Sequence, residues 1–140
     1  MKRIAAVLSI FFAASVSTTY ADIAVIANRN MPISTVTVEQ AAAIFLSQLD
    51  VLADGTQLIP VDQENEQVAR EEFYSKVIKK TPSEMNAYWS RLVFSGEGQP
   101  PKKISGDAEV IALVKANPNI VGYVDAATVD DTVKVLLTIH

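Results

Sequence analysis

The chain contains no cysteine, and its one histidine, His140, is the last of its 140 residues. The first absence excludes disulfides, thiolate metal sites and anchoring through a lipidated cysteine. The second removes the side chain most used for proton transfer near neutral pH. No Gly-x-Ser-x-Gly, His-Glu-x-x-His or phosphate-loop pattern occurs. Glu71 and Glu72 are adjacent on a predicted helix and point in different directions, so they do not make a catalytic pair. An enzyme is therefore disfavoured, and no cofactor is expected.

Basic charge is also in short supply. The formal net charge is −4, and without Lys2 and Arg3 ten Lys and Arg remain against 16 Asp and Glu, a charge of −6. A nucleic-acid or anionic-membrane surface needs a basic patch, so neither partner is expected. Internal repeats, low-complexity tracts and linkers are absent.

Lys2-Arg3 precede an apolar run from Ile4 to Ala14, and Thr19-Tyr20-Ala21 places small residues where a signal peptidase reads. The run is too short for a comfortable membrane span. Residues 1–21 read as a secretory signal peptide cut after Ala21, leaving no transmembrane anchor. Residues 22–140 are of single-domain length, and the expected location is the periplasm.

Asp22 to Ala27 is a β-branched apolar run that ends at Asn28-Arg29-Asn30, which predicts a buried strand and a loop. Thr37 stands three residues before Gln40, the spacing of a capping box, and Val38, Ala41, Ala42, Phe45 and Leu49 follow with helical period. Asp54-Gly55 marks a turn before a strand over 57–61. Helices are predicted over about 66–79, 81–95 and 107–116, the second with Thr81 as N-cap and Pro82 at its first position. Trp89, Phe73 and Phe94 read as core, and Gly96 to Pro101 as an irregular loop. Strands over 120–124 and 133–139 complete a β-α-β-α-α-α-β-β order. This is α/β: a mainly parallel sheet flanked by helices on both faces, its last strand a candidate to run antiparallel.

Four stretches carry a resemblance: Ile59-Pro60-Val61-Asp62-Gln63, Arg70-Glu71-Glu72-Phe73-Tyr74, the segment from Tyr88 to Gly96, and Ile120-Val121-Gly122-Tyr123-Val124. Together the chain resembles the phosphate-type (PstS-like) periplasmic solute-binding proteins of ABC transporters, and within them the short, single-lobe members. The resemblance implies one lobe of the type 2 periplasmic binding protein fold. It also implies a small-molecule ligand such as phosphate or another oxyanion, and as partners an ABC transporter permease or a second protein lobe that supplies the other jaw.

In an open α/β sheet, ligands gather outside the carboxyl ends of strands, where helix starts can hold an anion. The candidate ligand-binding residues are accordingly Asn28, Arg29, Asn30, Ser34 and Thr35 after the first strand, Asp62, Gln63 and Asn65 after the second, and Tyr123 and Asp125 after the third. Residues of these types also serve as turn formers and caps. Arg70 and Arg91 lie beside Tyr74 and Tyr88, which favours stacking or a salt bridge over ligand contact.

The second loop departs from the family. Full-length phosphate receptors carry an arginine there and a Ser-Gly-Thr turn; here Asp62 stands at the place of the arginine, and residues 64–68 replace the turn. Carboxylates repel an oxyanion by about 1 kcal/mol each in water at contact distance. Asp62 and Glu64 match no calcium-loop spacing, so no metal is expected, and Glu64 and Glu66 also suit a helix start. Two functions remain open: a secreted, non-enzymatic solute-binding protein for ABC-type uptake, or an envelope accessory or regulatory module that kept the fold without a complete cleft.

Overall fold

The computed structural model describes residue 13 and residues 21–140. The expected leader therefore lies, apart from residues 13 and 21, outside the described residues. No helix among the described residues is long and apolar enough to cross a membrane.

Five strands form one mixed sheet: β1 (Ile23–Asn28), β2 (Ile59–Gln63), β3 (Lys102–Ile104), β4 (Ile120–Asp125) and β5 (Val133–Ile139), in the spatial order β3-β2-β4-β1-β5. β2 pairs parallel with both β3 and β4. β1 pairs antiparallel with β4 and with β5. Four strands thus point one way and β1 alone is reversed. The expectation of an antiparallel last strand holds for β5 against its neighbour, but the strand that breaks the common direction is the first. β1 is buried at all six positions because it has a strand on each side and a helical layer on each face.

Three helices cover one face: α1 (Val38–Phe45), α2 (Val68–Phe73) and α3 (Pro82–Ser95). α4 (Asp107–Ala116) covers the other. The capping box at Thr37 forms as its spacing predicts: the Gln40 amide donates to Thr37 Oγ1 at 3.1 Å, and the Thr37 amide to Gln40 Oε1 at 2.9 Å. Thr81 Oγ1 accepts from the Glu84 amide at 3.2 Å, and Gly96 closes α3 at φ 71°, a region glycine enters without steric cost. The helix predicted over 66–79 divides. After Phe73 it widens into a π turn, Tyr74–Ile78, closed by the Lys79 amide on the Tyr74 carbonyl at 2.7 Å.

The centre of the larger core is aromatic. Phe73 stacks on Tyr123 with ring centroids 4.0 Å apart and planes 6° apart. Phe45 meets both edge-on, at 4.8 Å and 5.6 Å. Each such contact adds about 0.5–1.5 kcal/mol beyond area burial. Phe94, expected in the core, is 96% exposed on the last turn of α3, while Met85 and Leu92 fill the inward face and Trp89 is half-buried. β3 was hidden in a proline-led loop. It has three residues, two of them exposed lysines, which suits a sheet edge.

On the opposite face α4 lies unusually close to β4. A Cβ built on Gly122 would sit 2.5 Å from Val110 Cγ1 and 3.3 Å from Val61 Cγ2. Gly122→Ala is expected to lower unfolding free energy by about 1–3 kcal/mol through overpacking. Urea denaturation should show Val110→Ala recovering part of that loss in the double variant; two additive losses would mean the contact is not the cause.

Candidate functional site

The reversal of β1 divides the candidate residues between the two ends of the sheet. Asn28 is paired with Val133 and its chain neighbour Ala27 with Val121, so the loop after β1 lies beside the start of β4. Gln63 and Asp125 end β2 and β4, which run parallel, and these lie at the other end. A six-residue strand separates the two sets by about 20 Å.

At the first end, the buried Asn28 donates from Nδ2 to the Val114 and Lys115 carbonyls, both at 3.0 Å, and accepts from the Asn30 amide at 3.0 Å. It thereby caps the last turn of α4 and orders its own turn. Arg29 is exposed and donates to the Asp131 carbonyl. Asn30 is exposed too. Ser34 and Thr35 are exposed in the segment that runs past β5, where the Val36 amide donates to the Leu136 carbonyl at 3.1 Å.

At the second end the strands bring Asp62, Gln63, Tyr123 and Asp125 close together. Tyr123 lies within β4 and not in the loop after it, and it is fully buried. Side chains alternate along β2: Asp62 faces the aromatic core, whereas Gln63 faces α4. Asp62, 3% exposed, accepts from the Tyr74 hydroxyl at 2.5 Å, from the Tyr123 hydroxyl, and from the Gln63 amide at 2.8 Å. Arg70 completes the set, its Nε 3.5 Å from Asp62 Oδ1 while its guanidinium lies over the Tyr74 ring at 4.1 Å. Asp62, expected where phosphate receptors carry an arginine, turns inward and is compensated by a cation and two phenols. The carboxylate's charge is thereby offset where it stands.

Gln63 is wholly buried. Its Nε2 donates to the Tyr123 carbonyl and to Asp107 Oδ1, each at 2.8 Å, which ties the end of β2 to β4 and to the first turn of α4. Its Oε1 is a buried acceptor with no hydrogen-bond partner among the described residues. Asp125 caps the short 3₁₀ turn Ala126–Thr128 by accepting from the Ala127 amide at 2.9 Å. Asn65 is exposed and accepts from Lys103 Nζ at 2.9 Å. No group of three His, Cys, Asp or Glu placed to hold a metal occurs among the described residues.

Beside this cluster opens a cleft of about 760 Å³ between α2, α3 and the approach to β3. Asp62, Arg70 and Tyr74 form its floor, and Lys80, Lys103 and Glu71 bring further charge. Met85, Trp89, Pro100 and Pro101 give it an apolar wall. Sequence reasoning missed this cleft because its residues come from segments 62–75, 80–90 and 100–103, which no local pattern links. The proline-led lysine pair that ends in β3 was the available signal.

Two measurements test the cluster. Asp62→Arg places two cations together in the core and is expected to cost about 3–5 kcal/mol, whereas Asp62→Asn leaves Arg70 without its counter-charge and costs about 1–3 kcal/mol. Thermal melts should rank wild type above Asn above Arg. Separately, burial pushes the Tyr123 and Tyr74 hydroxyls well above their ordinary value, and the adjacent Asp62 charge adds to the rise. Because the folded state holds these protons more tightly than the unfolded chain, their contribution is fully present below about pH 10 and is lost as pH climbs beyond it. Melting temperature should fall steeply on the alkaline side, and Tyr123→Phe should flatten that fall; identical pH profiles would remove Tyr123 as its source.

No family model matches the chain, and no curated protein matches its sequence significantly. Solved structures do. An ABC-type phosphate transport receptor of Vibrio cholerae superposes with a TM-score of 0.67 at 22% identity, over 84% of this chain and 47% of the receptor. A Clostridium perfringens protein described as a phosphate ABC transporter substrate-binding protein, solved with bound phosphate, gives 0.65 at 21%, over 84% and 45%. PstS of Borrelia burgdorferi gives 0.63 at 16%, over 85% and 48%. The chain spans about half the length of these structures, and over that half it has the fold of the phosphate-type substrate-binding proteins.

Proposed function

We propose that this chain is a secreted, non-enzymatic solute-binding protein of the periplasm that takes a small oxyanion, phosphate or a relative of it, for ABC-type uptake. The observation that carries the reading is the fold held in common with phosphate transport receptors, one of them solved with phosphate bound. The cleft supports it. Arg70 and Asp62 offset each other, and Lys80 and Lys103 against Glu71 leave the cleft one positive charge in excess. A site of this kind attracts anions although the chain as a whole is acidic.

A second reading is favoured by one observation. Phe94 is 96% exposed with Val93 beside it, more than half exposed, on the last turn of α3, which gives a partner protein an apolar anchor. An envelope accessory module, or a lobe that pairs with a second protein lobe or a permease, would use such a surface.

Calorimetric titration of residues 22–140 with phosphate, sulfate and other oxyanions separates the two. Binding with a micromolar to millimolar constant is expected under the first reading, weakened as salt rises because the attraction is largely electrostatic. Silence across the panel together with a stable complex recovered from envelope extract, lost in Phe94→Ser, would replace the first reading by the second.

A further inference from the structure

The cleft beside Arg70 is much larger than an inorganic oxyanion needs. At about 760 Å³ it falls in the range that encloses organic ligands, roughly 300–1,000 Å³. A phosphate ion would occupy a small fraction of it and leave Trp89, Met85, Pro100 and Pro101 against water.

Its charges are also balanced for less than a dianion. Arg70, Lys80 and Lys103 stand against Asp62 and Glu71, one positive charge in excess. Among the cations Arg70 is the fixed one: it is held between the Asp62 carboxylate and the Tyr74 ring, and its side chain is 21% exposed. A guanidinium so held is an ordered donor fork for a carboxylate. Lys80 and Lys103 are more loosely tied. Lys80 lies 5.9 Å from the Tyr88 ring centroid, and Lys103 reaches the exposed Asn65. They raise the local potential without fixing a geometry.

The apolar wall is flat and stiff. Trp89 is braced edge-on by Tyr88, with ring centroids 5.0 Å apart and planes at 76°. Tyr88 is itself anchored through its hydroxyl to the Leu46 carbonyl at 2.5 Å. Pro100, Pro101 and Met85, the last 6% exposed, line the cleft with Trp89. An ordered cation beside an apolar lining selects a ligand with the same division.

Resting on the reading of the chain as an anion-binding protein, we propose that this cleft binds a monocarboxylate carrying a flat apolar body, with Arg70 holding the carboxylate and Trp89 packing against the body. Among carboxylates the selectivity runs against short aliphatic acids, which leave the apolar lining uncovered.

The chain has a single tryptophan, so the indole N–H resonance of Trp89 is one unambiguous probe of the cleft. Benzoate and phenylacetate should shift it in a saturable manner, while acetate leaves it in place. Arg70→Lys keeps the charge and the counter-charge to Asp62 but loses the planar fork, and should weaken benzoate binding about tenfold. Lys103→Gln should weaken it less, and Lys115→Gln, on the far end of α4, not at all. Should Arg70→Lys unfold, Trp89→Leu tests the same site by calorimetry, and its benzoate heat should vanish. Phosphate heat without any response to aromatic carboxylates would overturn this proposal and leave the anion-binding reading standing. Benzoate binding that moves neither Trp89 nor responds to Arg70→Lys would place the ligand elsewhere and overturn it as well. Silence from every anion would overturn both readings together.

Discussion

A carboxylate with almost no access to water has to be compensated where it stands, and the compensation of Asp62 organises one half of this molecule. Its partners come from three elements: Tyr123 from β4, Arg70 from α2 and Tyr74 from the π turn that follows it. Each also serves the packing. Tyr123 is stacked on Phe73, and Tyr74 lies under the Arg70 guanidinium. The polar cluster and the aromatic core are therefore one structure with two chemistries, and neither can be rearranged alone. Breaking such a pair by removing one member costs far more than the pair gains over apolar residues of the same shape. Its presence fixes the direction of Arg70, and with it the character of the cleft.

Much of the fold was legible in the sequence because it rests on local rules. The capping box at Thr37, the N-cap at Thr81, the buried run of β1 and the stop before Asn117-Pro118 each depend on a few neighbouring residues. What was not legible depends on tertiary context. The π turn after Phe73 leaves the apolar spacing of the helix almost unchanged. β3 has three residues and two lysines, so only pairing with β2 makes it a strand. Phe94 is the exception: it lies on the side of α3 opposite the buried Met85, and its reading as core rests on residue type alone.

The site illustrates the same division. Residue types after strands identified Asp62, Gln63 and Asp125 as a group, and the sheet does bring them to one end. The loop after β1 was grouped with them on the assumption that β1 runs with β2 and β4. Strand direction is set by which edges pair, a long-range property that leaves no periodicity behind, so Asn28 appears instead as a cap on the far end of α4. The inward turn of Asp62 was equally invisible, since it depends on the phase of β2 relative to the aromatic layer.

The pairing of β1 has a consequence for how the chain acquires its shape. The strand at residues 23–28 has both neighbours between residues 120 and 139, so the sheet cannot be joined across its middle until almost the whole described chain is available. Closing so long a loop before its contacts form is slow, because the entropy is lost before the pairing energy is gained. The parallel pairs of β2 with β3 and β4 lie inside that span and add their own crossovers. A chain emerging from its amino end thus carries an apolar strand that stays unpartnered until β4 and β5 follow.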